Sequence, residues 1–232
     1  MEPSGPPEFN KVMKEYEVKA TAKIQIGLAL LALLIFIVLT WGVVQDTNWI
    51  AAIDNAGFHL IREPLSPNRT WFFKNVTRAG NEKWSLTLMF ILALIFIFQR
   101  KAKATIFLIL NVSVFGLGLS TVLKMVIDRP RPHIVHLIQA HGLSFPSGHT
   151  MNAVLLYGSL IILSNYYLSN DGLRFALNAV LGVIIIALPL SRIYLGVHYP
   201  TDVIAGYALG FTMLMLSKFA IFRFQDHEVK IK

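Results

Sequence analysis

With 232 residues, 55% of them hydrophobic, and a mean hydropathy of +0.58, the chain is too apolar for a soluble domain. It has no cysteine, which excludes a disulfide framework, a thiolate metal site and a cysteine nucleophile, and leaves His, Ser, Asp and Glu as chemical candidates. The net charge of +8 is scattered over tails and loops without a basic tract, which fits contact with anionic headgroups and argues against a nucleic-acid partner.

Several apolar runs approach the roughly 20 residues that span a bilayer, so the sequence predicts an all-α membrane protein. Residues 1–22, with Pro3, Pro6, Pro7 and a mixture of charges, are expected to be a cytoplasmic tail. The first span covers Ile24 to Val44, with Trp41 where an interfacial aromatic belongs. It is too long for a signal-peptide core and no small-x-small pattern follows it, so it is predicted to be retained. Residues 45–83 are half polar, broken by Pro64 and Pro67 and rich in aromatics, a composition that suits short amphipathic helices on the outer membrane surface.

The second span is expected from Trp84 to Phe98, its helix starting near Gly80 or Asn81, and the third from Ala104 to Ile127, with Gly116, Gly118 and Ser120 offering a face for close helix approach. A stiff connector holding Arg129, Arg131 and three histidines leads to a fourth span, Ser147 to Leu168. Ser169 to Gly172 reads as a turn. The fifth span runs from Phe175 to Leu190. Pro200 suits the first turn of the sixth, which extends to Phe222 before a cytoplasmic tail, 223–232.

Six spans within 23–222 put both termini on one side. Counting Lys and Arg with the amino terminus inside gives twelve inner and nine outer, of which Lys124, Arg131 and Arg192 are better explained by a site. The polar clusters then lie at the outer face.

Charged groups at the edge of hydrocarbon are costly unless they have partners, so their convergence marks a site. Lys124, Arg131 and Arg192 carry three charges that suit a phosphate ester or diphosphate, and Arg forks pair bidentately with phosphate oxygens. Ser147 and Gly148 open a helix, where unpaired backbone N–H groups and the helix dipole favour an anion. His198 and Asp202, four apart across a helix start, can place the carboxylate on one ring nitrogen and leave the other for substrate. His149, on another helix, is free to protonate a leaving oxygen.

Lys124 followed by six residues and Arg131-Pro132, then Pro146-Ser147-Gly148-His149, then Ser191-Arg192 with five residues to His198 and three more to Asp202, resembles the three-part signature of the type 2 phosphatidic acid phosphatase superfamily. The resemblance implies a six-span membrane enzyme in which His198 attacks phosphorus to form a phosphohistidine, oriented by Asp202. His149 would protonate the departing lipid oxygen and then activate water. Lys124, Arg131, Arg192, Ser147 and Gly148 would hold the phosphoryl oxygens, with no metal or other cofactor.

It further implies a bacterial plasma-membrane location and a lipid phosphate or diphosphate as substrate. Undecaprenyl diphosphate is the first expectation, with phosphatidylglycerophosphate and phosphatidic acid behind it. The competing readings are a lipid transporter that only binds headgroups, a lipid phosphotransferase and a vanadate-dependent haloperoxidase. The six-residue spacing selects Arg131 over Arg129, which is expected to make a headgroup or loop-packing contact. His133, His136 and His141 lack a carboxylate motif and are not expected to bind metal. Sequons at Asn68 and Asn75 are not expected to carry glycan.

Overall fold

A computed structural model describes residues 7–222, with side chains from Thr21 onward. All regular structure among the described residues is helical: α1 Pro7–Val44, α2 Asn48–Arg62, α3 Pro67–Val76, α4 Glu82–Phe98, α5 Ala102–Ile127, α6 over 148–167, α7 Asp171–Tyr194 and α8 Pro200–Phe222. Residues 7–22, expected as a tail, are continuous with the first helix. The remainder of that tail and the C-terminal one lie outside the described residues.

Length and apolarity single out four helices able to cross a membrane: the Thr21–Val44 part of α1, then α5, α7 and α8. A fifth arises if Pro67–Gly80 and α4, bent by 46° at their junction, form one broken span. The apolar runs in the sequence predict six. The two that fall short do so for local reasons, since α4 has only 17 residues and α6 is interrupted by polar side chains, among them His149, Asn152, Ser164 and Asn165. Apolar side chains such as Ile24, Leu31, Ile97, Val180 and Val183 stand exposed around the outside. A soluble surface rarely carries so many, whereas lipid accepts them.

Small residues let the central helices approach. A methyl group added at Gly206 of α8 would come within 2.9 Å of the Ser147 carbonyl and the Thr150 Cβ, and one at Gly158 of α6 within 2.6 Å of Leu214. Buried polar side chains bind the same bundle. Ser217 Oγ donates to Asn111 Oδ1 at 2.9 Å, and Thr212 Oγ1 to the Ala29 carbonyl at 3.2 Å. Because Gly206 sets the distance between the start of α6 and the start of α8, Gly206→Val is expected to cost about 1–3 kcal/mol by overpacking. Thermal unfolding in detergent should show a lower midpoint, and an unchanged midpoint would mean that this contact yields.

One end of the bundle is roofed by α2 and α3. Arg62 donates to the Val135 carbonyl at 2.6 Å, Thr70 Oγ1 lies 2.9 Å from the Tyr194 hydroxyl, and Phe73 packs on the Tyr194 ring at 4.6 Å. The fifth helix does not stop at Leu190 as expected. It continues through Ser191 and Arg192 to Tyr194, because Ser191 Oγ satisfies itself on the Leu188 carbonyl at 2.5 Å and Arg192 finds Thr77 Oγ1 at 2.7 Å. Gly196, at φ +75°, then reverses the chain in a conformation that costs glycine little, so that the short turn 195–199 delivers His198 to the head of α8.

Candidate active site

A cavity of about 160 Å³ opens where α5, α6, α7 and the 195–199 turn meet. Lys124, Arg131, Gly148, His149, Arg192 and His198 all line it. These six come from five elements, α5, the connector that follows it, α6, α7 and the 195–199 turn, and the fold brings them to one cavity. Lys124 reaches it from the last turn of α5, near enough for its Nζ to stand 3.6 Å from a methyl group placed at Gly148. A larger cavity of about 470 Å³, between α1, α2 and the end of α5, contains neither histidine.

Asp202 and Ser147 stand behind the wall. Asp202 Oδ2 lies 3.2 Å from His198 Nδ1 and also accepts the Tyr199 N–H at 2.9 Å, so His198 carries its proton on Nδ1. Its Nε2 lone pair therefore faces Arg131 Nη1, which is 3.3 Å away. Burial first, and then the charges of Arg192, Arg131 and Lys124, hold the His198 imidazole well below its ordinary pKa of 6.5, which keeps that lone pair available at neutral pH.

Arg131 is fixed by carbonyls on two sides: Val197 at 2.6 Å, and His141 and Gly142 at 3.0 and 3.1 Å. This role explains the long connector. His141 serves through its backbone, and His136 points its Nε2 at the Pro132 carbonyl, 2.9 Å away. Among the described residues, no group of three or more His, Asp or Glu side chains is placed to hold a metal ion.

Two features differ from expectation. The Ser147 N–H is not an open anion donor, because it is bonded to the Asp202 carbonyl at 3.0 Å. Its hydroxyl caps α6 by accepting from Thr150 N and Oγ1, at 3.4 and 3.0 Å, which leaves the hydroxyl proton to donate. The Ser147 backbone thus ties α6 to α8. Second, Arg129, expected as a headgroup or loop-packing contact, packs the connector through its carbonyl, which accepts from Ser144 N at 2.8 Å, but its side chain turns inward. It is mostly buried and donates to Asp202 Oδ1 and to Asp54 Oδ2, each at 2.6 Å.

Asp54 and Arg129 were missed as functional candidates. Asp54 lies in a segment without a motif, and Arg129 lost to Arg131 on spacing. Glu82 and Asn152 also line the cavity. An acid in the first turn of a helix reads as dipole compensation, so Glu82 gave no distinguishing signal.

Buried polar atoms without partners reveal what the cavity is built to receive. His149 Nε2, Arg192 Nε and Asn152 Oδ1 are all buried with no hydrogen-bond partner. Orphaned donors and acceptors of this kind are expensive, and a ligand rich in oxygen would satisfy them. Three cations around two histidines, one held by a carboxylate, make a pocket whose chemistry suits an anion.

A helical membrane chain with this pocket falls among the membrane phosphatases. Residues 104–226 match the PAP2 superfamily, and the chain belongs to it. It is 34% identical over 181 residues to phosphatidylglycerophosphatase B of Bacillus subtilis, covering 74% of this chain and 85% of that protein. It is 32% identical over 131 residues to undecaprenyl-diphosphatase of Sulfolobus acidocaldarius, 54% of this chain and 59% of that one. The crystal structure of the PAP2-type phosphatidylglycerolphosphate phosphatase from Bacillus subtilis aligns with a TM-score of 0.73 at 28% identity, over 88% of this chain and 98% of that chain. That of Aquifex aeolicus LpxE aligns with a TM-score of 0.55 at 28% identity, over 69% and 91%.

Proposed function

We propose that this chain is an integral membrane phosphatase that hydrolyses lipid phosphates or diphosphates through a phosphohistidine on His198. The observation that carries the reading is that His198, held at Nδ1 by Asp202, lines one small cation-walled cavity together with His149, whose Nε2 has no partner. Binding alone would not need an oriented His–Asp pair, which disfavours a transporter.

In the first step His198 Nε2 forms a bond to phosphorus as the bond from phosphorus to the lipid oxygen breaks. His149 gives that oxygen a proton, and Asp202 stabilises the charge growing on the His198 ring. In the second step His149 takes a proton from water, the water oxygen bonds to phosphorus and the P–N bond breaks, releasing phosphate. Lys124, Arg131, Arg192 and Gly148, which line the cavity, hold the phosphoryl oxygens throughout. Their three charges supply the transition-state stabilisation that a metal gives in other phosphoryl transfers, so no metal is assigned a part.

In the membrane, α1, α4, α5, α6, α7 and α8 are the six spans and α2 and α3 lie at the interface. Both termini are cytoplasmic, and the site faces outward from a bacterial plasma membrane. The longer match to phosphatidylglycerophosphatase B moves phosphatidylglycerophosphate ahead of undecaprenyl diphosphate as the first substrate to test.

The test is a panel of purified phosphatidylglycerophosphate, undecaprenyl diphosphate and phosphatidic acid, assayed for inorganic phosphate with the unaltered protein in detergent. Phosphate release that vanadate blocks and EDTA leaves intact is the expected result. Loss with EDTA, restored by a divalent ion, would overturn the metal-free step. Phosphate found on an acceptor lipid in place of water would make the protein a phosphotransferase.

A further inference from the structure

Asp54 of α2 is 3% exposed; with Arg129 it lines the larger cavity, and it does not line the one that holds the two histidines. Its Oδ1 accepts from the Thr201 N–H at 2.9 Å and from the Thr201 hydroxyl at 2.7 Å, and its Oδ2 from Arg129 Nη2 at 2.6 Å. The other arm of Arg129, Nη1, reaches Asp202 Oδ1 at 2.6 Å, and its guanidinium lies over the Tyr199 ring at 3.9 Å. Asp202 passes the connection to His198 Nδ1 through its second oxygen. The result is an unbroken chain, Asp54–Arg129–Asp202–His198, alternating in charge as far as Asp202 and ending on a neutral imidazole. Asp54 also lies outside the segment that matches the family, residues 104–226.

The signs along this chain matter. Arg129 fixes one oxygen of Asp202, but a lone guanidinium there would also neutralise the carboxylate and draw it away from the histidine. Asp54 cancels that positive charge, so Asp54, Arg129 and Asp202 together retain one net negative charge beside His198. A buried carboxylate is costly, and holding α2 onto α8 would need only the Thr201 contacts that a neutral amide could also accept.

We infer that Asp54 is a positioning residue for the phosphoryl-transfer reaction: acting through Arg129, it holds Asp202 against His198 Nδ1 and preserves the negative charge that the ring needs as phosphorus bonds to Nε2. The inference rests on the reading of His198 as the nucleophile. Asp54 acts on the chemical step and not on substrate binding.

The test is the Asp54→Asn variant, which keeps the acceptor for Thr201 and loses the charge, assayed on phosphatidic acid in detergent micelles. The expected result is a kcat lower by about 10-fold with KM within about twofold, and a change of less than about twofold when the same substitution is made in an Asp202→Asn background. A wild-type kcat, a rise in KM alone, or equal losses in both backgrounds would overturn it. Should Asp54→Asn fail to fold, Arg129→Lys carries the same expectation and the same contrary results, since a single ammonium cannot fork to two carboxylates. Turnover retained by His198→Ala would defeat the nucleophile assignment itself, an outcome distinct from any of these.

Discussion

Replacing His198 by alanine is expected to lower kcat by about four orders of magnitude or more while leaving the protein folded. The imidazole is 1% exposed and bonded at both nitrogens, to Asp202 and to Arg131, so its removal deletes the proposed nucleophile without releasing either neighbour from its other contacts. Asp202 keeps Arg129 and the Tyr199 N–H, and Arg131 keeps three backbone carbonyls. The phosphate pocket therefore stays built, and His198→Ala should still bind vanadate, read by protection against thermal unfolding. Loss of both turnover and vanadate protection would mean that the substitution collapsed the pocket and did not merely remove its reactive atom.

The second large effect belongs to Arg192. This side chain is 5% exposed, has one hydrogen bond to Thr77, and carries an Nε with no partner. A buried cation so poorly satisfied is a burden on the fold that substrate oxygens would relieve. Arg192→Met, similar in length and uncharged, is expected to lower kcat/KM by about 100- to 1,000-fold, the scale for deleting one preorganised oxyanion donor. Its unfolding midpoint should be no lower than that of the wild type, because stability and phosphate binding pull in opposite directions at this position. Arg192→Lys should recover little, since one ammonium cannot serve Thr77 and a phosphate oxygen together. A large drop in stability for Arg192→Met, or near-normal turnover for Arg192→Lys, would show that Arg192 is a structural cation.

Much of this was legible in the sequence because the membrane makes apolar runs and their polar interruptions unusually informative. Pro200 marked the start of α8, which the described residues follow to Phe222. The helix start at Ser147 and Gly148 and the His198–Asp202 pair follow from local spacing, four residues in the second case. The end of α7 was placed too early because Ser191 and Arg192 look like an interruption. Only the structure supplies the carbonyl of Leu188 and the hydroxyl of Thr77 that let them stay helical.

The π-helical stretches, Leu110–Leu119 and Ala153–Tyr157, were invisible for the opposite reason, since the apolar run carries on unchanged through both. The role of Arg129 could not be read, because its two carboxylate partners lie 75 and 73 residues away and one of them belongs to no motif. Spacing reports what is close along a helix. It says nothing about a roof helix folding back over the site.

The claim on which the account rests is that phosphorus is carried transiently by His198. Brief mixing of the purified protein with phosphatidic acid labelled with radioactive phosphate, followed by a base quench, tests it directly. Label is expected on the peptide that contains residue 198, stable to base and lost in acid as a phosphoramidate should be, with no label on His198→Ala. Label that persists on His198→Ala, or His198→Ala protein that still releases phosphate at the wild-type rate, would contradict it.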